Sequence, residues 1–162
     1  MKYYIATVIG LFFLFTNISC DKGYGLCFMG NFEYLAFGHF YGECGGEECV
    51  EMFVLEYQKV REETTDVYPT DKFYHFKEYE VLPDSTYSLV NDLIDHFPDE
   101  LWDESGTVIG NPDGGDWGGI YVEIKNWEGH RYWLLDQMES NMPEEYNVYV
   151  DLINEKIALI NQ

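Results

Sequence analysis

Apolar runs with few polar positions predict strands in the first half of the chain. Residues 33–41 and 49–57 are both rich in aromatic and β-branched side chains, and Gly45 and Gly46 lie in the short loop between them. Two such runs around a glycine-containing loop are typical of a β-hairpin. Residues 73–81, which follow a polar loop, form a third predicted strand.

A helical pattern follows Pro83 in the sequence. Its first turn can be capped by Asp84 or Ser85, and Pro98 marks its end. Apolar residues recur at the three-and-four spacing of an amphipathic helix. They are Leu89, Val90, Leu93, Ile94 and Phe97. The sequence therefore predicts one helix, with a single apolar face, between the two prolines.

The second half of the chain predicts another hairpin and another helix. Residues 119–125 alternate in polarity, and residues 130–136 follow them after a short turn, which is a hairpin signal. Beyond Asn141, a candidate helix cap, and Pro143, an apolar stripe has the clearest periodicity in the chain. Its members are Tyr146, Val150, Ile153, Ile157 and Ile160. The order β-β-β-α-β-β-α predicts an α+β fold, in which an antiparallel sheet built from hairpins carries two helices on one face.

The first residues of the chain have the pattern of an export signal. Lys2 precedes an apolar run over residues 5–15, and the run ends at the polar residues Thr16 and Asn17. This combination describes a secretory signal peptide. The run is shorter than the roughly 20 apolar residues of a membrane-spanning helix. We therefore predict that residues 1–19 are a signal peptide that is removed.

The junction of Ser19 and Cys20 resembles the cleavage site of bacterial lipoproteins, although Asn17 and Ile18 depart from the residues usual there. The resemblance implies that Cys20 is lipidated and becomes the first residue of the mature protein. More than one acyl chain then anchors the protein stably in a membrane, and residues 20–30 form the lipidated cysteine and a flexible tether. The implied location is the cell envelope, outside the cytoplasm, on the periplasmic face of a membrane or at the cell surface. Beyond the signal, the chain is similar to small acidic lipoproteins of unknown function from Gram-negative bacteria.

Composition narrows the range of partners. The chain has 30 acidic and 9 basic residues, a formal net charge of −21, and loss of residues 1–19 takes the charge to −22. A nucleic-acid partner is not expected, because binding to phosphates depends on Lys and Arg. Divalent metals and basic proteins remain as partners. The whole chain has 46% hydrophobic residues, and residues 31–162 are long enough to form a single globular domain.

The segment ECGGEEC places Cys44 and Cys49 on either side of a glycine pair. Opposite positions in a hairpin have the separation that a disulfide needs, and export favours its formation. A zinc site with His39 as third ligand is an alternative, but it lacks a fourth ligand. Redox catalysis is a weaker alternative, because the C-x-x-C spacing is missing. Cys27 is left as an odd thiol.

The glycine-rich loop 110–119 is the candidate metal site. It holds Asn111, Asp113 and Asp116 directly before a predicted strand, and calcium prefers oxygen ligands on a flexible backbone. The spacing departs from the calcium-loop pattern at Gly115, and a structural β-turn is the alternative that we favour. No cofactor is expected from the sequence, and calcium at this loop is the alternative.

The sequence contains none of the common nucleophile, zinc-protease or phosphate-loop motifs. No catalytic residue is predicted, although a site assembled from distant residues is not visible in one sequence. Tyrosines on the predicted strands either cover a half-buried sheet face or stack on a sugar or a basic partner. They are Tyr34, Tyr41, Tyr57, Tyr74, Tyr121 and Tyr132. We expect a membrane-anchored binding or envelope-structural module with a basic protein or a glycan as partner; a calcium-stabilised module and a divalent-metal-dependent hydrolase are the alternatives.

Overall fold

The structure is a computed structural model, and it describes residues 32–162. The predicted signal peptide, the lipidation residue Cys20 and the odd thiol Cys27 lie outside the described residues. Within residues 32–162, no helix has both the length and the apolar character needed to cross a membrane.

Seven strands of the described part of the chain form one sheet. They are β1 (Phe32–Phe40), β2 (Val50–Glu56), β3 (Lys59–Glu63), β4 (Tyr79–Val81), β5 (Val108–Ile109), β6 (Gly119–Asn126) and β7 (His130–Asp136). The order across the sheet is β4-β3-β2-β1-β6-β7-β5. Neighbouring strands are antiparallel except β5 and β7, which are parallel. The α+β class and the mainly antiparallel sheet are therefore as predicted. The structure adds two strands, β3 and β5, to the predicted order of elements.

One added strand, β3, was not predicted because its turn carries no hairpin signal. Tyr57 and Gln58 connect β2 to β3, and both have positive φ angles of 46° and 64°. A two-residue turn of this kind normally uses Asn-Gly, since side chains with a Cβ disfavour positive φ. The predicted strand at residues 49–57 thus ends at this turn, and the chain doubles back as β3.

The predicted strand at residues 73–81 is wrong over its first half. Only Tyr79–Val81 pairs in the sheet as β4. The aromatic residues before it lie across the sheet without regular structure, and the backbone N–H of Tyr74 donates to the hydroxyl of Tyr121, 2.8 Å away, instead of to a strand. Aromatic composition alone did not separate a strand from a segment that packs on a strand.

Two helices, α1 (Asp84–Val90) and α2 (Glu144–Ile160), accompany the sheet. α2 starts directly after Pro143, and Asn141 makes no cap to it. α1 is shorter than predicted, because the chain tightens into a 3-10 turn at Asn91–Leu93. Asn and Asp side chains compete for backbone hydrogen bonds and weaken helix interiors. Leu93 is nevertheless fully buried. The residue predicted to face the core therefore does so, although its backbone is a 3-10 turn and not an α-helix.

The sheet has two unlike faces. On the helix face, both helices contribute to one apolar cluster with alternate residues of the strands, among them Phe37, Val122 and Trp133. On the opposite face, which we call the open face, a smaller cluster includes Met52, Tyr121 and others. Its cover is the crossing segment, residues 64–78, which leaves β3 and returns as β4. The open face therefore has loop cover where the helix face has helices.

Candidate functional site: an aromatic and acidic pocket on the open face

A pocket of about 260 Å³ lies on the open face, over β1 to β4. The lining consists of Glu33, Tyr34, Val54, Glu56, Arg61, Glu63, Phe76 and Tyr79. Alternation places Tyr34, Val54, Glu56, Arg61, Glu63 and Tyr79 on the same side of their strands, and Glu33 lies where the register of β1 shifts. Aromatic rings and one valine form the apolar part, and three carboxylates and Arg61 form the charged part. We call it the open-face pocket.

Two of its carboxylates are paired with basic side chains of the same chain. Glu56 contacts Arg61, with 3.1 Å between Oε2 and Nη1. Glu33 contacts Lys125, with 2.7 Å between Oε1 and Nζ. Both pairs are partly exposed, so each contributes little to stability. A cation from outside can therefore compete for these carboxylates without a large cost to the fold.

The third carboxylate, Glu63, is held ionised. Burial raises the pKa of Glu63, but hydrogen bonds from Thr65 and from the hydroxyl of Tyr74 outweigh it, and the net pKa lies below the ordinary value. The Tyr74 hydroxyl is 3.2 Å from Glu63 Oε2. At neutral pH the pocket thus carries a permanent negative charge on the side of β3.

Arg61 occupies the pocket as a cation would. The centre of its guanidinium lies 4.8 Å from the centroid of the Tyr79 ring, which is within the range of a cation–π contact. The Nε of Arg61 is buried and has no hydrogen-bond partner among the described residues. An aromatic ring and a carboxylate from Glu56 therefore already hold one positive charge here.

A buried polar cluster lies beside the pocket and shares Tyr34 with it. Glu123, which is 1% exposed, accepts hydrogen bonds from the hydroxyls of Tyr34 and Tyr121. The backbone N–H of Tyr74 also donates to Glu123, over 3.2 Å. His130 completes the group, since its Nε2 lies 2.7 Å from Glu123 Oε1. We call these residues the Glu123 cluster.

The two cluster tyrosines remain protonated over the whole physiological range. Burial is the largest cause that raises the pKa of Tyr34 and of Tyr121 far above 10, and the hydrogen bond to Glu123 and its negative charge raise both further. Neutral hydroxyls can donate to the carboxylate, so the buried charge of Glu123 is satisfied. Such satisfaction is what makes a buried carboxylate tolerable.

The Glu123 cluster positions the pocket and its cover. It fixes the ring of Tyr34, a wall of the pocket, and it ties down the crossing segment at Tyr74. Phe73 adds a second contact, since its ring stacks on His130 with centroids 3.9 Å apart. Because Glu123 is almost fully buried, a ligand has no access to its carboxylate. Glu123 therefore acts as support for the site, and Tyr34 is the member of the cluster that lines the pocket.

The predicted disulfide between Cys44 and Cys49 is confirmed. Both sulfurs are used in it, so they are not available as zinc ligands. His39, the third ligand of the zinc alternative, lies instead 3.0 Å from Glu51 Oε2 and 3.1 Å from the carbonyl oxygen of Glu48. The bridge closes the connection from β1 to β2.

Of the candidate calcium ligands, Asp113 has a side-chain oxygen that serves other contacts in the structure. Asp113 Oδ2 accepts hydrogen bonds from the backbone N–H of Gly42 and from the hydroxyl of Tyr68, at 2.9 and 2.7 Å. Asn111 holds the loop through its backbone N–H, and Asp116 has a positive φ of 65°. Within residues 32–162, no group of three or more His, Cys, Asp or Glu side chains is placed to hold a metal. Calcium binding in the loop stays a prediction.

Asp136 organises the glycine-rich loop, and sequence reasoning did not single it out. It is 1% exposed and accepts hydrogen bonds of 2.8 Å from the N–H groups of Asn111 and Met138 and from the side chain of Asn141. Gly110 fits against it with φ of 77°, where a Cβ would lie 2.6 Å from the Cβ of Asp136. The loop therefore has a structural anchor at the end of β7.

Sequence reasoning named most tyrosines of the site but not its acids. Of the six tyrosines named, Tyr57 is 75% exposed and Tyr34 and Tyr41 are half-buried, whereas the other three are buried. Glu123 lies in a strand whose neighbours Val122 and Ile124 are fully buried. An acid between two buried residues was the only sequence signal that Glu123 is buried. Alternation alone predicts that the acid at this position is exposed.

Comparison with known proteins assigns no family to the chain. No family model matches the sequence, and no curated protein sequence matches it. The chemistry of the open-face pocket and the pattern of the sequence are therefore the grounds for a function.

Proposed function

We propose that the chain is a lipid-anchored, extracytoplasmic binding module that takes a basic side chain of a protein partner into the open-face pocket. The observation that carries this proposal is Arg61, which lies over Tyr79 and beside Glu56. A lysine or arginine of a partner can make the same two contacts. The contacts of Arg61 thus indicate which chemical group of a ligand the pocket can bind, namely a guanidinium or an ammonium.

The charge of the chain supports a basic partner over a glycan. The formal net charge is −21, and three carboxylates line the pocket against a single arginine. A negative field of this size raises the rate at which cationic partners arrive. A neutral sugar would use the rings of Tyr34 and Tyr79 but would not match the negative charge of Glu63, the pocket carboxylate without a basic partner in the pairs described above.

The location in this proposal comes from the sequence. The apolar run at residues 5–15 and the junction at Cys20 have the pattern of a lipoprotein signal. A lipid anchor can hold the acidic domain at a membrane without help from a basic face. Without an anchor, binding to anionic lipids would depend on such a face. The domain is then presented to partners in the cell envelope.

Binding is tested with a defined probe, a seven-residue peptide of alternating arginine and valine with blocked ends. The exported full-length chain, held in a nonionic detergent, is titrated with the peptide by calorimetry at about 0.15 M salt, where long-range attraction is screened. Glu56→Gln should raise the Kd about tenfold, since it removes a charge-assisted contact. Tyr79→Leu should raise the Kd about fivefold, because the ring is lost.

Two matched variants control for charge and for packing. Glu128→Gln removes the same charge at an exposed turn away from the pocket, and Tyr79→Phe keeps the ring. Both should bind like the wild type. If Glu128→Gln weakens binding as much as Glu56→Gln does, the attraction is general and the pocket is not the site. If the wild type does not bind the peptide, the proposal is wrong.

The anchor is tested by intact mass and by detergent phase partitioning. The exported wild-type chain should lack residues 1–19, carry acyl chains on Cys20 and enter the detergent phase. Cys20→Ser should give an unacylated chain that stays in the aqueous phase. A wild-type chain without acyl chains would contradict lipid anchoring and leave the pocket chemistry untouched.

A further inference from the structure

The strand β4 has one edge without a partner among the described residues. It is the outermost strand of the sheet order, next to β3 only. All three of its residues are exposed, and no described element pairs with its outer edge. An uncovered strand edge is a template on which another extended chain can pair.

The backbone directions along β4 follow from its pairing with β3. Thr64 N–H donates to the carbonyl of Glu78 over 3.1 Å, and Leu82 N–H donates to the carbonyl of Val60 over 3.0 Å. Even-numbered residues therefore direct their backbone groups towards β3. Because these directions alternate along a strand, Tyr79 and Val81 direct their N–H and C=O groups to the outer edge. Four backbone groups are thus available to a new strand.

The side chains of the same two residues lie on the open face. Tyr79 is opposite Glu63 and Val81 is opposite Arg61 in the register with β3. Tyr79 is 53% exposed and Val81 is 50% exposed, and Tyr79 is a wall of the open-face pocket. A strand added at this edge would carry alternate side chains on the open face, next to the pocket.

We propose that β4 takes an extended, basic segment of a partner protein as an eighth strand of the sheet. The segment pairs antiparallel with Tyr79–Val81 and places one of its basic side chains in the open-face pocket. Backbone hydrogen bonds then supply affinity, and the pocket selects the side chain. This inference rests on the proposed function and adds to it the conformation of the partner and the edge to which it binds.

Charge decides between a basic partner and a second copy of the chain. Glu78 and Glu80 are exposed on and beside β4, and each copy carries a formal net charge of −21. Two copies paired edge to edge would bring these acids together, which is unfavourable. A basic segment would bring opposite charges together at the same positions. The edge is thus protected against self-association and suited to a basic strand.

The test uses the alternating arginine and valine peptide in two N-methylated forms. One form is methylated at every arginine and the other at every valine, so each lacks the N–H donors of one edge. In antiparallel pairing, residues with side chains on the open face direct their N–H groups to β4. Methylation at arginine should therefore raise the Kd about tenfold or more, and methylation at valine should leave it unchanged.

A variant of the protein tests the same bonds from the other side. Val81→Pro removes an outward N–H and leaves the ladder to β3 in place, as is usual for proline in edge strands. It should weaken binding, whereas Val81→Thr should not. In the wild type, amide exchange at Tyr79 and Val81 should slow when the peptide binds. Exchange at Glu80 should change little, because its N–H already faces β3.

The outcomes separate this inference from the proposed function. If Glu56→Gln weakens binding but both methylated peptides bind equally well, or both bind equally poorly, the added strand is wrong and the pocket proposal stands. Unchanged amide exchange at Tyr79 and Val81 would also overturn the added strand. If the unmodified peptide binds the wild type and Glu56→Gln alike, the pocket proposal fails.

Discussion

On the helix face, Phe37, Val122 and Trp133 are completely buried under two helices, whereas on the open face Tyr121 and Glu123 are just as deeply buried under a segment without regular structure. The helix face is mainly apolar, and among the described residues Trp133 Nε1 and Tyr149 Oη are buried there without a hydrogen-bond partner. The open face is aromatic and polar, and each buried oxygen needs a donor. Packing therefore determines one face, and hydrogen bonding determines the other. The exposed pocket lies on the face that hydrogen bonds organise.

The comparison predicts the largest loss of stability for a cavity on the helix face. Ile153 is fully buried in α2, so Ile153→Ala should lower the free energy of unfolding by about 3 kcal/mol. Val148→Ala on the same helix is the control, because Val148 is 70% exposed; its effect should stay within about 0.5 kcal/mol. Urea unfolding followed by tryptophan fluorescence measures both. Equal effects would mean that α2 does not pack as described.

A smaller loss is expected where the Asp136 carboxylate anchors two loops at the end of β7. Asp136→Asn weakens charge-assisted hydrogen bonds from Asn111, Met138 and Asn141, and should lower the free energy of unfolding by about 2 kcal/mol. Burial raises the pKa of Asp136, but these hydrogen bonds outweigh it and hold the pKa below the ordinary 3.8. The stabilisation of the fold by ionised Asp136 is therefore fully present above pH 3.8. It is lost as the pH falls through the lower pKa that Asp136 has in the folded protein.

The pH dependence provides a separate measurement of Asp136. As the pH falls from above 3.8 through the lower folded pKa of Asp136, the wild type should lose more stability than Asp136→Asn, because the variant has no carboxylate to protonate at this position. Thermal unfolding at a series of pH values measures the difference. Parallel curves for the two proteins would show that the hydrogen bonds of Asp136 do not favour its ionised form.

The smallest effect on stability is expected on the open face, at Glu123. Glu123→Gln keeps the size of the side chain but leaves one acceptor oxygen for several donors, and should cost about 1 kcal/mol. Its local effect is larger: amide exchange at Tyr74 should accelerate about tenfold, as the crossing segment loosens. Exchange in α2 should accelerate by no more than the roughly fivefold that a global loss of about 1 kcal/mol implies, and Glu128→Gln should change neither. An equal acceleration at Tyr74 and in α2 would mean that the two faces are not independent.

Sequence patterns predicted the helix face well and the open face poorly. The stripe through Tyr146, Val150 and Ile153 is buried as expected, because helical periodicity reports directly which side faces an apolar core. The strand at residues 130–136 has the predicted bounds. These features depend on local spacing, so a single sequence contains them.

The open-face pocket was not visible in the sequence, because its parts come from four strands and a loop. Tyr34 and Arg61 are adjacent in space only through the register of β1, β2 and β3. That register depends on the strand at Lys59–Glu63, which was not predicted because the turn before it has no hairpin signal in the sequence. The Glu123 cluster likewise joins Tyr34 to His130 across β6. Spacing along the chain contains no information about such contacts.

The central position of β1 has a consequence for the order in which the protein assembles. β1 pairs with β2, which is near in sequence, and with β6, where Phe37 is opposite Val122. Pairs so distant in sequence form slowly, because chain entropy is lost before the contact is gained. As the chain leaves a ribosome, β1 thus keeps one edge unpaired until Asn126 at the end of β6 has been made. The chain should therefore remain incompletely folded until most of its length is synthesised. An incompletely folded chain can pass through the narrow pore of an export channel, as the predicted signal peptide requires.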